Sequence, residues 1–167
     1  MENILLMITL MICLVTDIKK RKIYNKVLVP ALTIGLLIHL WTGGWVGIKE
    51  ALVGFIVGLC ILLIPFLLGG IGAGDVKLLA TIGAIKGATF ALYTGIWMGL
   101  AGGVIAIGIL LYQRELLSTV KSIGQGLKLM MISGFKIISF DNNVENNMFP
   151  YGLAITIGAI MAFIIVG

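Results

Sequence analysis

Apolar residues fill 60% of the 167 positions and charged residues only 11%, an imbalance that excludes most folds before any motif is considered. A soluble domain carries roughly a quarter of its residues as charges. This chain has too little polar surface for a water-facing exterior, so it is expected to fold within a bilayer. There the backbone N–H and C=O groups must be paired inside the protein, which leaves helices or a closed barrel. The apolar residues form long runs bounded by charges and glycines, without the alternation of a barrel strand, and so select helices. The expected fold class is an all-α integral membrane protein: one membrane-embedded domain over residues 1–167, with about six transmembrane helices and a cytoplasmic amphipathic helix.

The spans run near Ile4–Thr16, Val27–Trp41, Ala51–Leu68, Val76–Ile85, Ala88–Tyr112 and Tyr151–Val166. A bilayer core takes ~20 residues per helix, so the short fourth span suggests a tilted or broken helix. The run from Val76 to Tyr112 is too long for one span, and Lys86-Gly87 is the turn that divides it. With six spans, one set of loops holds Lys19, Lys20, Arg21, Lys22, Lys26, Lys77, Arg114, Lys121, Lys128 and Lys136, and the other set only Lys49 and Lys86. Basic residues accumulate on the cytoplasmic side. This orients the chain as a multi-pass protein of the cytoplasmic (inner) membrane with both termini outside. The first apolar run has no basic leading region and no small-residue cleavage site after Val15, so it is expected to remain as an uncleaved anchor.

Gly54-x-x-x-Gly58, Gly83-x-x-x-Gly87 and Gly95-x-x-x-Gly99-x-x-x-Gly103 are small-residue repeats that let helix backbones approach closely. His39, flanked by Trp41 and Trp45, reads as interfacial. Cys13 and Cys60 stand alone in apolar runs, with no CxxC and no Cys/His cluster, and read as buried small hydrophobes. Between Gln113 and Asn147, Leu116, Val120, Ile123, Leu127 and Met130 recur at helical spacing among lysines. That stretch suits a surface helix on the anionic cytoplasmic leaflet.

In such a chain an acid at the membrane boundary carries a cost. Asp17 closes the first span and Asp75, in Gly72-Ala73-Gly74-Asp75, opens the fourth. The topology puts both on the cytoplasmic side at the same depth. Each has a bland reading: Asp17 as a partner of the lysines behind it, Asp75 as a helix N-cap. Together they supply what peptide hydrolysis requires, one ionised carboxylate to take a proton from water and one protonated carboxyl to polarise the carbonyl. Four glycines between Gly69 and Gly74 let the backbone approach an extended peptide, making Gly72, Gly74 and Lys77 candidates for the substrate-contacting loop. Rival signatures are weak. HExxH and GxSxG are missing, and Ser118-Thr119-Val120-Lys121 matches SxxK without its companion motifs. No metal, cofactor or nucleic-acid partner is expected. A membrane assembly scaffold and a small transporter with one acid as proton relay are the alternatives.

Three segments resemble the prepilin peptidases, membrane aspartyl proteases of the GxGD type, and especially the small forms of Flp/Tad pili. They are Asp17-Ile18-Lys19-Lys20-Arg21-Lys22-Ile23-Tyr24-Asn25, Gly72-Ala73-Gly74-Asp75-Val76-Lys77-Leu78-Leu79, and Phe149-Pro150-Tyr151-Gly152. Tyr24 stands where the family has proline. The resemblance implies a catalytic pair of Asp17 and Asp75 and a prepilin or pilin-like substrate whose short basic leader is cut at the cytoplasmic face. It also implies peptidase activity without N-methylation, since the paired-CxxC domain of larger members is missing. Archaeal preflagellin peptidases share the same logic and are an alternative. A further expectation concerns the division of labour. Asp75 at a helix N-terminus feels a positive dipole end and Asp17 at a helix C-terminus a negative one, which favours Asp75 as the ionised base and Asp17 as the protonated acid.

Overall fold

The computed structural model describes residues 1–112 and 151–166. Among them every regular element is an α-helix: α1 (Glu2–Lys20), α2 (Asn25–Leu67), α3 (Ala73–Lys86), α4 (Ala88–Tyr112) and α5 (Tyr151–Val166). Met1–Ala101 and Met148–Gly167 form one compact unit, and Gly102–Asn147 a second. The surface helix expected after Gln113, and the SxxK match within it, lie outside the described residues. Two helical stretches, Asn25–Leu67 and Ala88–Ile105, are long and apolar enough to cross a bilayer.

Each of the expected apolar stretches is helical, with one difference in how they join. The second and third are expected to be separated by a loop, but the chain remains helical through it apart from Gly44, at φ 57° and ψ −137°. That conformation is open to glycine and strained for a residue with a Cβ, so one position divides α2 into two arms. Gly47 then lies against the backbone of His39, where a Cβ would collide with the carbonyl. The break between α3 and α4 falls at Lys86-Gly87, and Gly87 takes φ 88° to make it.

The centre of the unit is α3. Every residue from Asp75 to Ile85 except Lys77 is buried. A helix apolar on all sides belongs inside a protein, which accounts for its length. At 14 residues it spans only about 21 Å, short of the ~30 Å hydrocarbon core, yet it is unbroken because protein surrounds it. Leu78, Leu79, Ile82 and Ile85 are fully enclosed. In a bilayer the alternative environment is also apolar, so close packing holds the bundle together rather than removal of area from water.

Close packing needs glycine at the contacts. A Cβ at Gly54 would strike the backbone of Gly83, and one at Gly58 the backbone of Leu79. Gly95 meets the Ile61 side chain, whereas Gly99 and Gly103 have open space around them among the described residues. The α4 repeat is therefore a packing device at one position only. Cys13 is buried as expected, but Cys60 is exposed on α2, against the expectation that both are buried.

At one end of the bundle, Lys86 Nζ donates to Asn3 Oδ1 at 2.8 Å. His39 Nε2 lies 3.0 Å from the Ile85 carbonyl oxygen and 4.0 Å from Glu2. The start of α1 thus meets the end of α3, so these helices run antiparallel. The end of α1 and the start of α3, which carry the two aspartates, share the opposite end.

The packing makes a test. Gly54→Ala drives a Cβ into backbone that cannot yield, and should lower stability by about 1–3 kcal/mol in thermal unfolding of the lipid-reconstituted protein. Gly99→Ala should cause no loss.

Candidate active site

Asp17 lies in the last turn of α1. The helix ends at Lys20, and Arg21 turns the chain in the left-handed conformation (φ 50°, ψ 36°) while its N–H donates to the Asp17 carbonyl at 2.7 Å. The Asp17 side chain is held elsewhere. Its Oδ2 accepts a hydrogen bond from the Gly152 N–H at 3.0 Å. Gly152 is the second described residue of α5. A Cβ at Gly152 would sit 2.6 Å from that same oxygen and 2.9 Å from Cγ, so only glycine admits the contact. No ion pair joins Asp17 to the lysines behind it among the described residues.

Asp75 is the third residue of α3, and Gly72 occupies the N-cap position. Asp75 is therefore not the N-cap residue itself, but its carboxyl turns back over the helix start to the Gly72 N–H, with Oδ2 3.2 Å from where a Gly72 Cβ would lie. Its Oδ1 is buried with no hydrogen-bond partner. At Gly74 a Cβ would lie 3.0 Å from Ile23 Cβ, so the α1–α2 connection packs directly over the glycine-rich start of α3. Both acids are nearly inaccessible, Asp17 at 6% and Asp75 at 9% exposure.

The two side chains line one cavity of about 330 Å³. Gly72 and Gly74 form one wall, and the connection from Arg21 to Asn25 forms another. Lys77 Nζ donates to Asn25 Oδ1 at 3.3 Å, tying α3 to the start of α2 at the cavity rim. Lys20 Nζ stands 5.8 Å from the Tyr24 ring centre, a cation–π distance. Tyr24 itself has extended backbone, φ −89° and ψ 130°, so its replacement of proline leaves the turn into α2 intact. His39 lies at the other end of the bundle, away from both acids.

A profile of the type IV leader peptidase family matches residues 4–107, a stretch that includes both aspartates and the Gly72–Asp75 motif. The chain belongs to the type IV leader peptidase family. Comparison with curated proteins and with solved structures returns no match. Membership makes this chain a protease of the leader-peptidase kind.

Burial acts on both carboxyls of this leader peptidase. Both lie outside the apolar stretches Ile4–Thr16 and Val76–Ile85. Burial pushes Asp75 up to about 6, Asp17's charge adds to the shift, and the backbone N–H groups of Gly72 and Asp75 oppose it. Asp17 is also raised by burial, against the pull of the Gly152 N–H. Backbone N–H groups thus bond both carboxyls, that of Gly152 bonding Asp17 and those of Gly72 and Asp75 bonding Asp75, while burial raises both.

Sequence reasoning did not place Gly152 against Asp17, because 135 positions separate them. The available signal was a glycine opening an apolar helix directly after Pro150-Tyr151. Nor did it assign Arg21–Asn25 as a cavity wall.

Linkage gives a pH test. Asp75's folded value lies above that of an unfolded carboxyl, so the folded state favours its protonated form. That stability is complete below the ordinary carboxylate range and is lost as pH rises through about 6. The thermal midpoint should fall between pH ~4 and ~6, with a smaller fall in Asp75→Asn. An equally steep fall in the variant would assign the effect elsewhere.

Proposed function

We propose that this chain is a multi-pass membrane aspartyl endopeptidase that removes the short basic leader of prepilin-like precursors at the cytoplasmic face of the inner membrane. The observation that carries this reading is the convergence of two buried aspartates on one cavity, from the end of α1 and the start of α3, in a member of the leader peptidase family. Asp17 and Asp75 are the proposed catalytic pair. Like-charged acids in one site resist double ionisation, so the pair holds one proton, and one ionised and one protonated carboxyl are the groups that peptide hydrolysis uses.

The topology proposed with it has six spans in a single domain, with α2 contributing two through its break at Gly44. The antiparallel arrangement of α1 and α3 supports a shared depth for the acids. The concentration of Lys and Arg in the loops at that end supports a cytoplasmic location. Gly72 and Gly74 leave room for an extended peptide beside the acids, while Lys77 braces the facing connection through Asn25.

The test is processing of candidate prepilins by protein purified into lipid. Asp17→Asn and Asp75→Asn, both folded, should each lose activity by ~10²- to 10⁴-fold or more. If Asp75 served only to shape the start of α3, the asparagine variant would keep working. Processing that survives both changes would end the aspartyl reading.

A further inference from the structure

We propose that residues 22–24, in the α1–α2 connection, are the strand on which the substrate backbone docks, with the Tyr24 N–H donating to a peptide carbonyl beside the scissile bond. This rests on the endopeptidase reading above and adds how the peptide is held against the two acids. Tyr24 acts here through its backbone, as a substrate-binding residue.

The stretch has the character of a strand. Lys22 is exposed, Ile23 half-buried and Tyr24 exposed, the period of two that an extended chain imposes. Tyr24 has the matching backbone, φ −89° and ψ 130°. The Ile23 side chain packs on the apolar core, and its Cβ lies 3.0 Å from where a Gly74 Cβ would sit. Both ends are tied down. The Arg21 N–H donates to the Asp17 carbonyl at 2.7 Å, and Asn25 Oδ1 accepts from Lys77 Nζ at 3.3 Å.

A strand fixed in this way has no partner strand. Among the described residues, the N–H groups of Lys22, Ile23 and Tyr24 and the carbonyls of Lys22 and Ile23 make no hydrogen bond. Their neighbours around the cavity are engaged. The Tyr24 carbonyl accepts from the Val27 and Leu28 N–H groups, and the Gly72 carbonyl from those of Asp75 and Val76. The Gly72 and Asp75 N–H groups also bond the Asp75 carboxyl. Free backbone groups are therefore concentrated on one wall.

An extended peptide entering the cavity brings an N–H and a C=O at each residue, and these need partners where water is excluded. Groups two residues apart share an edge of an extended chain, so the Lys22 carbonyl and the Tyr24 N–H can bond one substrate residue between them. Adding a strand to an open edge is a general way of taking up extended peptides, with affinity supplied by the main chain. Lys22, Ile23 and Tyr24 line the same cavity as Asp17 and Asp75, so a peptide docked on them lies in the space that the acids border.

The test removes one donor. In protein reconstituted in lipid, the Ile23–Tyr24 amide is replaced by an ester through the α-hydroxy analogue of tyrosine. This deletes the N–H and keeps the ring that Lys20 covers. The assay follows a prepilin-like precursor that the all-amide chain cleaves. KM should rise by about 2- to 12-fold with kcat nearly kept, the mark of binding lost equally from ground state and transition state. Substitution gives a second reading. Tyr24→Ala and Tyr24→Pro both lose the ring, and only proline also loses the N–H. The proline variant should show a KM above that of the alanine variant by the same factor. An ester chain with the native KM overturns the proposal, as does a proline variant no weaker than the alanine one. Cleavage that survives both Asp17→Asn and Asp75→Asn would instead sink the aspartyl reading, which a silent ester leaves intact.

Discussion

The structure depends on a helix with no lipid face. Because α3 is enclosed from Val76 to Ile85 save for Lys77, its neighbours must approach it on every side, and the closest approaches are backbone to backbone. Gly54, Gly58 and Gly83 make these possible. In a bilayer, where apolar burial alone gives helices little reason to associate, such contacts are a principal source of cohesion. Enclosure also explains how a helix too short to cross the hydrocarbon core can open at the level of the cavity. Its first turn, with Asp75, stops where the α1–α2 connection covers it.

The same economy of side-chain volume recurs around the acids. Gly74 admits Ile23, Gly72 leaves space beside the Asp75 carboxyl, and Gly152 brings an N–H onto Asp17. Each is a place where a Cβ would displace a group that the cavity uses. Backbone N–H groups hold both carboxyls, that of Gly152 on Asp17 and those of Gly72 and Asp75 on Asp75, while one Asp75 oxygen stays unbonded. Separating the proton affinities of paired groups is how a site keeps one as acid and one as base.

Much of this was legible in the sequence, and the remainder was hidden for definable reasons. Charge asymmetry between loops and the apolar runs put Asp17 and Asp75 at one end of the bundle, and Lys86-Gly87 marked the α3–α4 turn. Gly54-x-x-x-Gly58 was readable as packing because spacing alone aligns such residues on one face. Gly99 and Gly103 have the same spacing and no close neighbour among the described residues, since a motif does not reveal which helix arrives opposite it. Gly44 was missed because a positive φ that bends a helix without ending it depends on what both arms pack against. The Asp17–Gly152 contact was invisible in the same way, being long-range and made by a backbone atom.

The central claim is that Asp17 and Asp75 titrate as one pair within one cavity. The most direct measurement is a carbon-13 NMR titration of their carboxyl groups in lipid-reconstituted protein, repeated in Asp17→Asn. The account predicts an Asp75 step at about 6 that moves down when the charge at position 17 is removed. An Asp75 carboxyl that titrates in the ordinary carboxylate range, unmoved by Asp17→Asn, would contradict it.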